Sequence, residues 1–175
     1  FSENTISNYV LPYGVAPNLI INGKTYCVPM VTEESSVVAA AAAAAKFWST
    51  RGGIKATVKN TIKIGQVHFK WFGDAAKLKA LFPDLKKLLI SDTHDITSNM
   101  VKRGGGILDI ELKDFSKDEP NYYQLFASFE TCDSMGANFI NSVLEQFGQT
   151  LRSFLKSQTT LNELEQDVDI IMCIL

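Results

Sequence analysis

The stretch Glu130-Thr131-Cys132-Asp133-Ser134-Met135-Gly136-Ala137-Asn138-Phe139 concentrates residue types that can do chemistry. It joins a strand-like run to a long helix-like run. The first backbone N–H groups of a helix have no intrahelical partner and make a ready anion site. Gly136 and Ala137 leave room beside them for a phosphate or a ribose. Asp133 can accept hydrogen bonds from hydroxyls, and Asn138 can both donate and accept. A plain turn needs only a glycine and a cap. Small residues together with two polar ones point to a ligand cradle.

Other candidates are weaker by themselves. Glu33 and Glu34 stand at the entrance of an alanine-rich run, "TEESSVVAAAAAAAKFWSTRGG". Carboxylates are favoured there by the helix dipole, so spacing leaves a capping role and a catalytic role both open. Gly104-Gly105-Gly106 precedes a strand-like run. It reads as a flexible loop or as a place where a backbone comes close to a ligand. His68 falls in a strand and His94 in a loop, with no partners at metal-ligand spacing, so no metal site is expected. No G-x-G-x-x-G follows a strand and no P-loop is present, which argues against a Rossmann domain.

The elements that must position these residues follow from periodicity. Asn22-Gly23 is a hairpin signal between Leu19-Ile20-Ile21 and Tyr26-Cys27-Val28. The alanine run predicts a helix capped by Thr32, Ser35 or Ser36 and stopped by Gly52-Gly53. Having almost no polar face, it is expected to be buried. Alternation predicts a strand over 58–71, and apolar spacing predicts a helix over 74–90 that Pro83 kinks or divides. Strands follow at 107–115 and 122–131, a long helix at 135–157 and a last strand at 168–175. In 107–115, Ile107, Asp109, Glu111 and Lys113 are expected on one face and Leu108, Ile110 and Leu112 on the other. The β-α-β-β-α-β order predicts an α+β, ferredoxin-like sandwich over 58–175, with residues 1–57 belonging to another body.

Composition excludes several classes. A net charge of −2 with mixed signs argues against a nucleic-acid binder. No apolar run is long enough to span a bilayer, so no membrane partner is expected. Cys27, Cys132 and Cys173 are odd in number and widely spaced, which supports neither a zinc site nor a disulfide framework and fits a reducing cytoplasm. Phe1 at the start and an apolar strand at the end suggest part of a longer protein.

At the opening stretch the sequence resembles a known family. "DSMGAN" looks like the D-A-M-G-x-N motif of 3-hydroxy-3-methylglutaryl-coenzyme A (HMG-CoA) reductase. "ENTISNYVLPYGVAPNLIING" is similar to the E-N-V-I-G segment of its bacterial, class II, branch, and "VPMVTEESSVVAAA" resembles V-P-x-x-x-E-E-P-S-x-V-A-A-A. "RGGGILDIEL" matches the glycine triplet and its strand. The four stretches are in order and in register across the chain. The resemblance implies a large substrate-binding domain carrying a smaller ferredoxin-like domain for the nicotinamide cofactor. The implied reaction is the four-electron reduction of HMG-CoA to mevalonate and coenzyme A by two hydride transfers from NAD(P)H, or its reverse. It also implies a homodimer, with active sites at the interface.

Residue by residue, the resemblance makes Glu34 the catalytic acid, a role that needs burial or neighbours to raise its pKa. The buried alanine helix and Glu33 are the expected causes. Glu3, Asn4 and Ser36 become substrate-binding, and Asp133, Met135, Gly136, Ala137 and Asn138 cofactor-binding. Ser35, Ser7 and Ser134 depart from the family's Pro, Gly and Ala. In NADH-using members an acidic residue before the glycine triplet holds the ribose. Asp92 and Asp95 are nearby, but the ungapped register places Thr97 there. Lys102 and Arg103 would suit a 2′-phosphate, so NADH and NADPH both stay open, with a lean to NADPH. The family's catalytic Lys, second acidic residue and late His would all lie beyond residue 175, so this chain is expected to be inactive alone. The alternative is a non-catalytic α+β nucleotide-binding or regulatory module.

Overall fold

Asn22 and Gly23 adopt left-handed φ values of 51° and 81°, which close a tight turn between β1 (Tyr13–Ile21) and β2 (Lys24–Val31). A two-residue turn of this hand matches the natural twist of the strands it joins. The strands are longer than their apolar runs suggested because a bulge between Ala16 and Leu19 absorbs Pro17 and Asn18. The coordinates are a computed structural model that describes residues 4–31 and 34–175. The chain forms two compact units, residues 1–59 and 60–175.

In the first unit, α1 (Ser35–Ser49) packs on β1. Gly14 lets it approach: an added Cβ would lie 3.3 Å from Val38 Cγ1. The expected burial of this helix is not found. Only Ala45 is buried, and Val37, Phe47 and Trp48 are about half exposed. Within its unit the helix meets a single hairpin, which covers one side only. Its N-cap is Glu34, with no side-chain cap bond, rather than Ser35 or Ser36; Thr32 lies outside the described residues. After the helix, Asn22 holds the chain. Its Nδ2 donates to Ala56 O at 2.8 Å, and its Oδ1 accepts from Ala56 N–H at 2.9 Å.

The second unit is built on β3 (Lys63–Lys70), α2 (Ala75–Asp92), α3 (His94–Val101), β4 (Gly106–Asp114), β5 (Tyr122–Glu130), α4 (Ala137–Ser157), α5 (Glu163–Gln166) and β6 (Asp169–Ile174). The four strands form one sheet in the order β4-β5-β3-β6, every neighbouring pair antiparallel. The fold is mixed α+β. Alternate residues of β3 (Gly65, Val67, Phe69) and β5 (Tyr123, Leu125, Ala127, Phe129) are buried, as period-2 strands against a helical layer require. Leu78, Leu85 and Leu89 of α2 and Ile140, Val143, Leu144, Phe147 and Leu151 of α4 complete that core at helical spacing. Each such side chain contributes about 1.5–3 kcal/mol on burial. Gly65 permits the tight seat of α4: a Cβ there would come within 2.7 Å of Leu144 Cδ1.

Three local expectations are corrected. Pro83 does not divide its helix; α2 runs through it to Asp92. Proline removes one backbone bond, and the buried Leu78, Leu85 and Leu89 on either side keep the helix seated on the core. His94 opens α3 instead of lying in a loop. In β4 the pairing slips between Ile107 and Asp109, leaving Leu108 as a bulge that is 52% exposed. Ile107 therefore packs with Ile110 and Leu112 against the core, which reverses the expected facing of Ile107 and Leu108.

Candidate functional site

β5 lies between β3 and β4, so three distant segments meet at its C-terminal end. The loop Thr131–Gly136 leaves β5 there and enters α4. The glycine triplet enters β4 beside it, with Gly106 opposite Glu130. Thr61, just before β3, donates its hydroxyl to Glu130 Oε2 at 3.0 Å.

The loop is closed by reciprocal bonds. Thr131 Oγ1 donates to Ser134 O at 2.7 Å, and Ser134 Oγ donates back to Thr131 O at 2.8 Å. Glu130 Oε1 accepts the Cys132 N–H at 2.8 Å, and Cys132 Sγ donates to Arg103 O at 3.2 Å. Those bonds hold the Glu130 carboxyl below its ordinary range, the Cys132 N–H contributing most and the Thr61 hydroxyl next. Gly136 sits at φ 79° against the buried Thr131, and a Cβ there would lie 2.5 Å from Thr131 Cγ2. Gly105 lies so close to the chain that a Cβ would fall 2.4 Å from Glu130 O. The close approach expected of the triplet is thus to the protein's own backbone.

These residues border a cleft of about 440 Å³ lined by Arg103, Thr131, Cys132, Asp133 and Ser134. Asp133 and Asn138 are exposed, and their side chains make no hydrogen bond among the described residues. Met135 is exposed as well. α4 begins with Gly136 as N-cap and no side-chain cap bond, unlike α2, where the Asp74 side chain accepts from Ala76 N–H. The free N–H groups of its first turn, from Ala137 onward, are left for another acceptor. Arg103 and Asp133 thus place a cation and a carboxylate in one cleft, on the loop that runs into this helix start.

The acidic candidates fall elsewhere. Asp92 accepts the Thr150 hydroxyl at 2.7 Å, Asp95 lies in the first turn of α3, and Thr97 is buried with its hydroxyl on His94 O. None of the three lines the cleft, whereas Arg103 does. In the first unit, the Ser36 hydroxyl donates to Glu34 Oε1, so the expected acid and the expected substrate-binding serine touch. Glu34 is exposed, so the burial expected there is absent. Asn4 lies in an exposed turn at φ 56°, and Glu3 and Glu33 lie outside the described residues.

A family model described as hydroxymethylglutaryl-coenzyme A reductase matches residues 1–166. The chain belongs to this family. It is 33% identical over 175 residues to a Borreliella burgdorferi protein named probable 3-hydroxy-3-methylglutaryl-coenzyme A reductase, covering 96% of this chain and 38% of that one. It is 34% identical over 146 residues to the reductase of Archaeoglobus fulgidus, covering 82% of this chain and 33% of that one. Among solved structures, a class II reductase from Streptococcus pneumoniae bound to NADPH in open conformations is 34% identical, with a TM-score of 0.64 over 99% of this chain and 39% of that one. The chain therefore spans well under half the length of these reductases.

The sequence had not singled out Glu130 and Thr61, which are bonded to each other beside this cleft. An acidic residue two positions before Cys132 is a local signal for Glu130. Thr61, 69 residues away, carries none. His68, expected in a strand, lies in β3 and is half-buried with Nδ1 2.5 Å from the Tyr122 hydroxyl, outside the cleft lining.

Proposed function

We propose that the second unit is the ferredoxin-like nicotinamide-cofactor lobe of an HMG-CoA reductase, and that the first unit is part of its substrate-binding domain. The reaction is the NAD(P)H-dependent reduction of HMG-CoA to mevalonate and coenzyme A, or its reverse, carried out in the cytoplasm by a homodimer. The observation that carries this reading is a cleft lined by both Arg103 and Asp133 on the loop that leads into the uncapped start of α4. Family membership and the NADPH-bound Streptococcus pneumoniae neighbour support it.

In this reading the N–H groups at the start of α4 hold a cofactor phosphate. Asp133 accepts from ribose hydroxyls, and Asn138 orients the bound group. Gly136 supplies the left-handed turn into α4 against Thr131, Ala137 keeps the approach open, and Met135 offers an apolar surface. Arg103 meets a 2′-phosphate, which favours NADPH over NADH. When bound, the cofactor supplies hydride. Glu34 supplies a proton at the carbonyl oxygen of the thioester-derived group, and Ser36, Glu3 and Asn4 bind the substrate.

The test is a fluorescence titration of the 175-residue chain with NADPH and NADH. The expected result is tighter binding of NADPH, with the preference lost in Arg103→Ala. No binding of either would favour the alternative of a non-catalytic α+β module, in its regulatory form. The chain alone is expected to form no mevalonate, and in the full-length enzyme Glu34→Gln should abolish reduction while leaving cofactor affinity intact.

A further inference from the structure

Glu130 stands at the end of β5 with both carboxylate oxygens engaged, one by the Cys132 N–H and one by the Thr61 hydroxyl. Cys132 has φ +53°, a left-handed conformation disfavoured for a residue with a Cβ. Such a conformation persists only where its surroundings hold it. Two ties do so here: the Glu130 bond to its N–H, and its own Sγ bond to Arg103 O. The second draws the Arg103 main chain against the loop. Arg103 and Asp133, which flank Cys132 in space and in sequence respectively, both line the cleft.

We propose that Glu130 is a positioning residue of the cofactor cradle: its carboxylate fixes the left-handed Cys132 and so sets Asp133 and Arg103 at the cleft. It acts through Cys132 and touches no ligand itself. This inference rests on the cofactor reading above and adds the group that organises the site. Both bonding partners favour the ionised carboxyl, so at neutral pH each oxygen is an acceptor. Glutamine can reproduce the arrangement, its oxygen accepting the Cys132 N–H and its amide donating to Thr61. Alanine cannot.

The experiment compares Glu130→Ala, Glu130→Gln and Thr61→Val in the 175-residue chain by two readouts. One is the NADPH dissociation constant. The other is the alkylation rate of Cys132 by iodoacetamide, measured by peptide mass spectrometry against the exposed Cys27 as internal reference. In Glu130→Ala, Cys132 should react roughly tenfold faster and NADPH should bind roughly tenfold more weakly, as loss of a charge-assisted hydrogen bond implies. Glu130→Gln and Thr61→Val should stay within about twofold of the parent chain. If Glu130→Ala does not fold, Glu130→Leu takes its place, because leucine keeps side-chain bulk at the end of β5 and offers the Cys132 N–H no acceptor.

Unchanged Cys132 reactivity in the alanine variant overturns the proposal. So does raised reactivity with unchanged NADPH affinity, or an equal loss in the glutamine variant. If the parent chain binds no NADPH, the cofactor reading fails, while the alkylation rates still decide whether Glu130 orders the loop.

Discussion

Gly136→Ala should damage the second unit by two separable amounts. The first is conformational: φ +79° costs a residue with a Cβ about 1–2 kcal/mol. The second is steric, since the new Cβ would lie 2.5 Å from Thr131 Cγ2 and 2.9 Å from Thr131 Cβ. Thr131 is buried and its hydroxyl is committed to Ser134 O, so it cannot turn aside, and overpacking of this kind costs about 1–3 kcal/mol. The sum is about 2–5 kcal/mol. Equilibrium urea unfolding followed through Trp71, which is fully buried in this unit, should show a midpoint lowered by roughly 1–2 M. Gly104→Ala isolates the first amount, because φ is +94° but nothing lies within 4 Å of the added Cβ. It should lose only about 1–2 kcal/mol. Thr131→Ser in the Gly136→Ala background removes the nearest clashing atom, keeps the hydroxyl, leaves Thr131 Cβ at 2.9 Å, and should recover part of that steric cost of about 1–3 kcal/mol. A Gly136→Ala chain within about 0.5 kcal/mol of the parent, or no recovery with Thr131→Ser, would refute the reasoning.

Three further outcomes follow from other contacts. Asn22→Ala loses both bonds to Ala56 and a favourable left-handed turn residue. It should destabilise the first unit by about 2–3 kcal/mol and speed tryptic cleavage at Lys55 and Lys59, while Asn22→Gly should recover only the turn contribution. Trp71→Phe removes the indole N–H bond to Glu165 O at 2.6 Å within the core, and circular dichroism should show a loss of about 2–4 kcal/mol. The Asp114 carboxyl is held down to about 2, first by the Lys79 hydrogen bond and then by Ser116. A depressed carboxyl stabilises the fold fully above its unfolded pKa, and that contribution is lost as pH falls through the folded value. The urea midpoint should therefore drop between about pH 4 and pH 2, and Lys79→Met should reduce the drop without abolishing it. Asp109, Glu130 and Glu165 are lowered as well and contribute in the same direction.

Local signals carried much of the architecture. The strands expected over 58–71 and 122–131 and the helix expected over 135–157 are present, and each buries one face, with Val67, Phe69, Leu125, Phe129, Val143, Phe147 and Leu151 inside. The errors share one cause. The alanine helix is apolar all round, yet burial depends on how many partners reach it, and within its unit only a hairpin does. The Leu108 bulge and the passage of α2 through Pro83 depend on what lies across the sheet or beneath the helix.

At the cleft the division is plainest. The sequence by itself determined the helix start at "DSMGAN" and the family, because these rest on residue types at short spacing, whereas the need for glycine at 136 comes from its φ of 79° and its seat against Thr131. Only the tertiary structure decided that Arg103, Glu130 and Thr61 belong with that stretch. Strand order is set by packing over the whole sheet, and placing β5 between β3 and β4 brings residues distant in sequence within hydrogen-bond reach of one another.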